Sequence, residues 1–373
     1  MPAIAAYIYR WAATAAMLCG ASLAAAGQLP QGLGEKLARD YIAPAMSQFQ
    51  RSAERLQSDL QAWCAEPTQA GASATQGDFA ELVRAWSGIE FLRFGPLVAA
   101  NRYERIYFWP DSRGVTLRQV QGLLGGEQAI PSAAGLATQS VALQGLPALE
   151  YVLYGKDGLL APAQVEARTA GAAEGIDKGR MRACAYAVAI AGNLSIVGSE
   201  LEKEWAPDGD YARQFAAPSP ANALYRSRQE VAGEAIKALS TGLQFARDVK
   251  LMPMLGANMK AARHSKAPFW RSGLSTQAMA ASVQGMLRFY IAGAYEYAEG
   301  EAWMDSSIRH ELEQAQAGLR AMRSGPEDLL KSEEGYRGLT LAGLILKNVK
   351  GVVDEHMAPA FGVRIGFNAL DGD

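Results

Sequence analysis

The sequence is poor in the residues that build rich metal centres and disulfide frameworks, since its 373 residues include only three histidines and three cysteines. It also lacks an excess of one charge: 36 Lys and Arg face 38 Asp and Glu, which leaves a formal net charge of −2. General nucleic-acid binders carry a basic excess, so we expect no nucleic-acid partner. The chain contains no G-x-S-x-G, Walker A or G-x-G-x-x-G string, so the common hydrolase and nucleotide-binding motifs are excluded.

Residues 1–26 are almost all apolar or small and are interrupted only by Arg10. The apolar core that begins at Trp11 is shorter than the roughly 20 residues needed to span a bilayer. Ala24 to Ala26 provide an A-x-A-like cleavage site. The segment therefore predicts a cleaved signal peptide and an exported chain, most simply in a bacterial periplasm. We expect no transmembrane helix in the mature protein.

Export changes the interpretation of the cysteines. Cys19 would leave with the signal peptide, and its use as a lipid-anchored residue is disfavoured because Leu18 stands where a small residue should precede it. Cys64 and Cys184 would remain in an oxidising compartment, where one structural disulfide is the first interpretation. The second is that both thiols are buried as small apolar residues.

Apolar residues recur at spacings of three and four through most of the chain, and no segment alternates with a period of two. The pattern predicts an all-α protein of two helical bundles, each with about four core helices. We place the N-terminal bundle at 27–205, a proline-marked linker at 206–221 and the C-terminal bundle at 222–373.

The first long helix is predicted from Leu33 to Trp63, with a kink at Pro44. A loop is expected from Gly71, and Asp78 is expected to cap the following helix. The other predicted long helices are 176–205, 224–249, 276–297, 306–323 and 339–356.

The histidines do not mark a metal site by their spacing. His310 is followed four residues later by Gln314, where a zincin helix needs its second histidine. His264 lies among basic residues that disfavour a cation. Convergence of these two with His356 on one metal remains an alternative that nothing in the spacing requires.

The segment 102–111 is the densest aromatic and basic stretch of the chain. In one interpretation it lines a cleft where Trp109 stacks on a ligand and an arginine holds a carboxylate. In the other its aromatic residues plug the end of a bundle and its charges face water.

The segment 144–155 reads QGLPALEYVLYG. Pro147 suits the first turn of a helix, and Gly155 can end that helix. Glu150 is expected within the same first turn, near the positive end of the helix dipole. This account is structural and assigns no function to Glu150.

The same segment resembles the signature of imelysin-like proteins, the M75 peptidase-like family, whose motif is G-x-H-x-x-E. Here the motif reads Gly145-x-Pro147-x-x-Glu150. Further similarity is carried by AW at 85–86, FGP at 94–96, FWPD at 108–111, FWRSGLS at 269–275 and GFNAL at 366–370. The resemblance implies a two-domain helical fold, export and an association with iron uptake or iron-regulated expression.

The departure at Pro147 bears on activity. Imidazole and carboxylate side chains three residues apart on a helix make half of a metal site, and proline cannot ligate. We therefore expect an exported binding or accessory protein linked to iron or another divalent metal, without peptidase activity. Its expected partners are iron-uptake or other cell-envelope proteins. The alternatives are a metal-dependent peptidase of M75 type and a helical scaffold that docks another envelope protein.

The expected pocket lies in the first bundle or at the domain interface. Its candidate ligand-binding residues are Trp86, Arg93, Trp109, Asp111, Arg113, Gly145, Pro147 and Glu150. The candidate metal ligands are Glu150 and Glu90, because carboxylates suit hard cations.

Overall fold

A computed structural model describes residues 27–169 and 178–366 of the chain. The predicted signal peptide at 1–26, the first two residues of the helix predicted from 176, and most of the string at 366–370 lie outside the described residues.

The all-α prediction is confirmed over these ranges. Apart from one antiparallel bridge between Gln28 and Glu296, the described residues form helices, turns and loops. The buried apolar residues of both halves form one continuous core.

The first half of the chain has three long helices and several short ones. In chain order its α-helices are α1 Leu33–Leu37, α2 Ala43–Ala65, α3 Gln69–Ile89, α4 Arg102–Ile106, α5 Val115–Gly125, α6 Ala133–Leu136, α7 Leu146–Tyr154, α8 Pro162–Thr169, α9 Lys178–Trp205 and α10 Asp210–Ala216. Single 3₁₀ turns occupy Gly95–Leu97, Ala99–Asn101 and Val141–Leu143. Helix α2 packs along both α3 and α9.

Four long helices dominate the second half. Its α-helices are α11 Arg228–Gln244, α12 Met252–Leu255, α13 Ser275–Gly293, α14 Trp303–Ala321, α15 Pro326–Lys331, α16 Glu333–Val352 and α17 Ala358–Ala360. The 3₁₀ turns are Met259–Ala261 and His264–Lys266, and π-helical turns occupy Phe245–Leu251 and Val353–Met357. Helix α14 packs between α13 and α16, and α16 also contacts α11.

The two halves meet where α3 crosses α13. A Cβ added at Gly285 of α13 would lie 2.3 Å from the carbonyl oxygen of Gly88 in α3, so the two backbones touch there. The hydroxyl of Tyr41 donates to the same carbonyl at 2.6 Å. Glycine at this crossing lets the halves approach more closely than side chains would allow.

The helix predicted from Leu33 to Trp63 contains a π-helical turn, Ala38–Ile42, which lies just before Pro44 and separates α1 from α2. The predicted kink at Pro44 stays a prediction. Proline lacks the N–H that would continue the regular ladder, and a π turn is one way to absorb that loss.

The loop predicted from Gly71 to Asp78 is wrong, because α3 already begins at Gln69. Its cap is Thr68, whose hydroxyl accepts from the backbone N–H of Gly71 at 3.0 Å. A Cβ at Gly71 would lie 2.9 Å from the ring of Trp63, so this small residue fits beneath a buried indole. Tertiary packing thus overrides the weak helix propensity of the segment.

The other predicted long helices are present, with shifted ends. Ala294, in the left-handed region at φ 46°, terminates α13 before the predicted residue 297. Ser332 caps α16 through the N–H of Gly335, so that helix begins before the predicted residue 339.

The segment predicted as a linker, 206–221, contains helix α10. Phe215 of α10 is buried and packs against Trp205, Tyr225 and Phe94. The exact division of the chain into two domains stays a prediction.

One helix among the described residues, α9, has the length and composition to cross a membrane. However, 67% of its most apolar window is buried inside the fold. Its buried face includes Ile190, Leu194 and Val197, and the helix packs along α2. These contacts account for its apolar sequence as that of a core helix.

Cys64 at the end of α2 and Cys184 in α9 are joined by a disulfide, with their Cα atoms 5.9 Å apart. The bond ties together two helices that are 120 residues apart in sequence. Of the two interpretations that the sequence left open, the structure contains the disulfide.

Candidate functional site

A pocket of about 250 Å³ lies between the two halves of the chain. Its first-half wall includes Trp109, Asp111, Pro147 and Glu150, four of the residues singled out from the sequence. Its second-half wall comes from residues 265–271. The pocket is thus at the interface that the sequence analysis offered as one of two places.

Helix α7 carries the G-x-P-x-x-E motif into this pocket. Gly145 is its N-cap and Pro147 its second residue, as expected for a proline in the first turn. Glu150 is the fifth helical residue, so its predicted place in the first turn is wrong. The helix ends at Gly155, as predicted.

Gly145 has a packing role. A Cβ at this position would lie 2.2 Å from the carbonyl oxygen of Ile106, a distance that no side chain tolerates. The start of α7 therefore rests directly on the backbone at the end of α4.

A buried polar network fixes the residue before the motif. Arg105 donates to the side-chain oxygen of Gln144 at 3.0 Å, and Asn193 donates to the Gln144 carbonyl at 3.2 Å. The hydroxyl of Tyr186 donates to the carbonyl of Leu143 at 2.7 Å. These contacts anchor the start of α7 to α4 and α9, and they give Arg105 a structural role.

Glu150 is 4% exposed and points across the interface to Ser272. Its Oε1 accepts from the backbone N–H of Ser272 at 2.9 Å and from the Ser272 hydroxyl at 2.8 Å. Burial raises the pKa of Glu150, and the bonds from Ser272 and the nearby charge of Arg271 offset only part of that rise.

The turn that presents Ser272 is tightly built. Phe269 adopts φ 51° and Gly273 adopts φ 73°, both in the left-handed region. The N–H of Leu274 closes the turn on the carbonyl of Phe269 at 3.1 Å. A non-glycine residue is uncommon in this region, so the conformation at Phe269 is held by its surroundings.

Asp111 lines the pocket and also caps a helix. Its two carboxylate oxygens accept from the backbone N–H groups of Val115 at 2.9 Å and Thr116 at 2.7 Å, at the start of α5. Burial pushes the pKa of Asp111 upward, but these N–H donors outweigh it and the net pKa is lowered. Asp111 is therefore an ionised cap.

Stacked aromatic rings form one wall of the pocket. Tyr107 lies between Trp109 and Phe269, with ring centroids 5.8 Å and 5.2 Å away and small interplanar angles. Of the segment 102–111, Tyr103 and Tyr107 are buried in the core, and Tyr107 and Trp109 line the pocket. Stacking of Trp109 on a ligand stays a prediction.

Four of the eight candidate ligand-binding residues do not line the pocket, and one of these is Gly145, which packs against Ile106. Trp86 is fully buried against Phe49 and Tyr103. Arg93 lies between the rings of Tyr103 and Phe245, 4.1 Å from each centroid. Arg113 is exposed. Trp86 belongs to α3, whereas Arg93 lies beyond the end of α3 and Arg113 precedes the start of α5.

Glu90 belongs to a buried ion pair instead of a metal site. Its Oε1 accepts from the ammonium of Lys250, on the π turn of the second half, and from the hydroxyl of Ser282. Lys250 is fully buried, and burial lowers its pKa although the Glu90 carboxylate opposes that shift.

The residues of the site do not fit a bare metal ion. Within residues 27–169 and 178–366, no three His, Cys, Asp or Glu side chains are grouped so that they could hold one. Glu90 already faces a cation, Glu150 faces Ser272, and Asp111 caps α5. The pairing of Glu90 and Glu150 as metal ligands is therefore not supported by their contacts.

The three histidines do not converge. His264 packs edge-on against Trp270 at 5.4 Å, and His356 packs against Trp303 at 5.1 Å. His310 contacts the side chain of Gln314 on the exposed face of α14.

Most of the chain matches the sequence model of a known protein family. Residues 42–345 match the model of the imelysin family, Peptidase_M75. The chain belongs to the imelysin family.

Two solved structures share the imelysin fold. An imelysin-like protein from Psychrobacter arcticum 273-4 is 20% identical, with a TM-score of 0.69 over 92% of this chain and 99% of that chain. A candidate iron-regulated protein A precursor from Parabacteroides distasonis ATCC 8503 is 14% identical, with a TM-score of 0.64 over 86% of this chain and 93% of that chain. No match was found among curated proteins.

Two further residues belong to the site, Arg271 and Ser272, and neither was predicted from the sequence. Both lie in the FWRSGLS string, which carried the family resemblance without a role for any of its members. In this string a glycine, Gly273, follows aromatic, basic and hydroxyl residues, and glycine at such a place indicates a turn. This pattern could have predicted that the string forms a second wall of the site.

Proposed function

We propose that this imelysin-family chain is an exported binding or accessory protein that serves iron acquisition in the cell envelope and does not cleave peptides. The observation that carries the proposal is the pocket between the halves, where the motif residue Glu150 is held by Ser272 from the other wall. Pockets at such interfaces are common sites for small ligands.

The link to iron rests on relationship. The chain belongs to the imelysin family, and the Parabacteroides protein that shares its fold is described as a candidate iron-regulated protein A precursor. Because that protein is only 14% identical, its description supports the iron link for this chain as a proposal only.

Export is supported by two independent features. Residues 1–26 have the composition of a signal peptide, and the Cys64–Cys184 disulfide is of a kind that persists in oxidising compartments. Both features fit a periplasmic protein.

The contacts of the motif argue against peptide hydrolysis. A hydrolytic metal needs several protein ligands and an open position. In this chain Pro147 occupies the place of the motif histidine, and the Glu150 carboxylate is directed to Ser272. We therefore infer that the family's peptidase name does not describe this member.

One observation favours the alternative of a docking scaffold. Leu341 and Leu344 of α16 are 57% and 53% exposed beside a groove of about 940 Å³. Replacing both with glutamate would abolish co-purification of an envelope partner if this face were the functional one. The same change is expected to leave iron-dependent growth intact under the main proposal.

The proposal is tested in the organism of origin. Cells grown with and without an iron chelator are fractionated, and the protein is expected in the periplasm as a chain that begins at Gly27. A deletion strain is expected to grow poorly only when iron is limiting, and the wild-type gene is expected to restore growth.

A parallel assay addresses peptidase activity. The purified protein is incubated with unfolded casein and Zn²⁺ or Fe²⁺, and no cleavage is expected. Cleavage that is lost in Glu150→Gln would overturn the non-enzymatic assignment. Normal growth of the deletion strain under iron limitation would overturn the link to iron.

A further inference from the structure

The polar groups of the pocket between the halves differ in whether they already form hydrogen bonds within the protein. The oxygens of Asp111 accept from two backbone N–H groups, and Oε1 of Glu150 accepts twice from Ser272. These three carboxylate oxygens are thus already engaged by the fold. A ligand rich in cationic donors would have to compete with these bonds.

The guanidinium of Arg271, in contrast, is positioned by aromatic rings. It lies over the ring of Trp270 at 4.4 Å and 5.5 Å from the ring of Tyr151. Within the part of the chain that the structure describes, it forms no ion pair. Two aromatic faces therefore fix its position, while its planar set of donors is left for a ligand.

Arg271 also lies between two cavities. It lines the 250 Å³ pocket and the adjoining cavity of about 710 Å³ that contains Lys156 and His264. A molecule in either space can reach the same guanidinium. The hydroxyl of Tyr107, which lines the smaller pocket, is a buried group without a protein partner in the described ranges.

We infer that this pocket binds a small organic polycarboxylate through the guanidinium of Arg271, with the rings of Trp109 and Trp270 covering its carbon skeleton. An arginine pairs with a carboxylate through two parallel N–H···O bonds, which a spherical ion cannot form. The volume suits a small molecule.

The inference changes how iron could be handled, and in this respect it rests on the proposed function. Across the two described ranges, no three His, Cys, Asp or Glu side chains are grouped so that they could hold a bare ion. Iron would therefore enter the pocket as an anionic complex whose oxygen ligands come from the carboxylate itself. The free polycarboxylate and its ferric complex share the chemistry that Arg271 recognises.

The test uses the purified full mature chain with citrate, ferric citrate, succinate, Fe²⁺ and Zn²⁺ as separate probes. Binding is measured by calorimetry and by fluorescence, since Trp109 and Trp270 line the pocket. We expect one molecule of citrate or ferric citrate per chain, and weaker binding as ionic strength rises. Comparison of the citrate and ferric citrate arms identifies which form is preferred.

Arg271→Gln is expected to weaken anion binding at least about tenfold, the effect of losing one charge-assisted contact of about 1.4 kcal/mol. Arg271→Lys keeps the charge, and its affinity for the anion is expected to lie between those of the wild type and Arg271→Gln. The matched control is Arg263→Gln, because Arg263 is exposed and donates to the carbonyls of Lys260 and Ala262 outside the pocket. It is expected to bind like the wild type.

Three results would overturn the anion site: citrate and succinate fail to bind at up to about 10 mM, Arg271→Gln binds as well as the wild type, or bare Fe²⁺ or Zn²⁺ binds one to one and is lost in Glu150→Gln. The last result would leave the iron link in place. Conversely, normal growth of the deletion strain under iron limitation would leave a measured citrate site intact.

Discussion

The carboxylate of Glu150 and the main-chain N–H of Ser272 are 2.9 Å apart, although 122 residues separate them in the sequence. The Ser272 hydroxyl approaches the same oxygen at 2.8 Å. Through this pair, the family motif on α7 is joined to the turn of the other half that also presents Arg271. The site is thus completed only when the two halves are packed together.

Ser272→Ala is expected to lower the free energy of unfolding by about 1–2 kcal/mol, because a hydrogen bond to a buried carboxylate is lost while the backbone bond remains. Burial already raises the pKa of Glu150, and loss of the hydroxyl should raise it further. A carboxyl group whose pKa is raised in the folded state lowers the free energy of unfolding at pH values where it is ionised. The destabilisation by Ser272→Ala should therefore be complete at high pH and decrease as Glu150 becomes protonated. Urea unfolding at several pH values measures this, and a loss that is constant with pH would contradict it.

Removing the Cys64–Cys184 disulfide is expected to lower stability by about 4–5 kcal/mol, because it closes a loop of 120 residues in the unfolded chain. Thermal unfolding with and without reductant measures the effect. In the matched double variant Cys64→Ser with Cys184→Ser, reductant should have no effect. Equal stability of the oxidised and reduced wild type would show that the bond is absent in solution.

Gly145→Ala is expected to destabilise the protein by about 1–3 kcal/mol, because its Cβ would meet the Ile106 carbonyl at 2.2 Å. Gly122→Ala is the control, since nothing lies within 4 Å of a Cβ at this position in α5. It should stabilise the helix by about 0.5–1 kcal/mol. Denaturant midpoints separate the two effects, and a neutral Gly145→Ala would show that α7 can shift.

Lys250→Met is expected to cost about 3–5 kcal/mol, because it leaves Glu90 buried without its cationic partner. Adding Glu90→Leu should recover most of that loss, since two apolar side chains need no mutual neutralisation. A double-mutant cycle in urea measures the coupling. Additive losses would mean that the pair does not act as a unit across the two halves.

Asp78→Asn is expected to stabilise the protein at neutral pH. Burial and the neighbouring Asp59 raise the pKa of Asp78 to about 6. Because this folded-state pKa lies above the ordinary value of 3.8, the charged form is penalised above pH 6 and the penalty disappears as the pH falls toward 4. The gain should be below about 1 kcal/mol, since solvent screens this partly exposed group. Melting temperatures at pH 8 and pH 4 test it, and a gain that persists at pH 4 would contradict this origin.

Sequence periodicity predicted the long helices well, because each depends on residues three and four positions apart. It failed at 71–78, where glycine and small polar residues resemble a loop until Trp63 packs against Gly71. Trp86 was also predicted to line the site but is buried in the core, since a periodic pattern identifies an inner face but not what that face meets. Arg93, another predicted lining residue, lies beyond the end of α3 between two aromatic rings.

The candidate site was predicted only in part. Trp109, Asp111, Pro147 and Glu150 line the pocket, and all lie in the segments that carried the aromatic cluster and the motif. Ser272 and Arg271 were missed as functional residues, because nothing local connects them with Glu150.

The sequence by itself determined the all-α class, the family motif and its proline, because these follow from short-range spacing and residue identity. Only the tertiary structure decided that Glu90 faces Lys250, that Glu150 faces Ser272 and that Arg271 lies against two aromatic rings. The physical reason is that helix formation is local, whereas the partners of a buried charge are set by how the two halves pack.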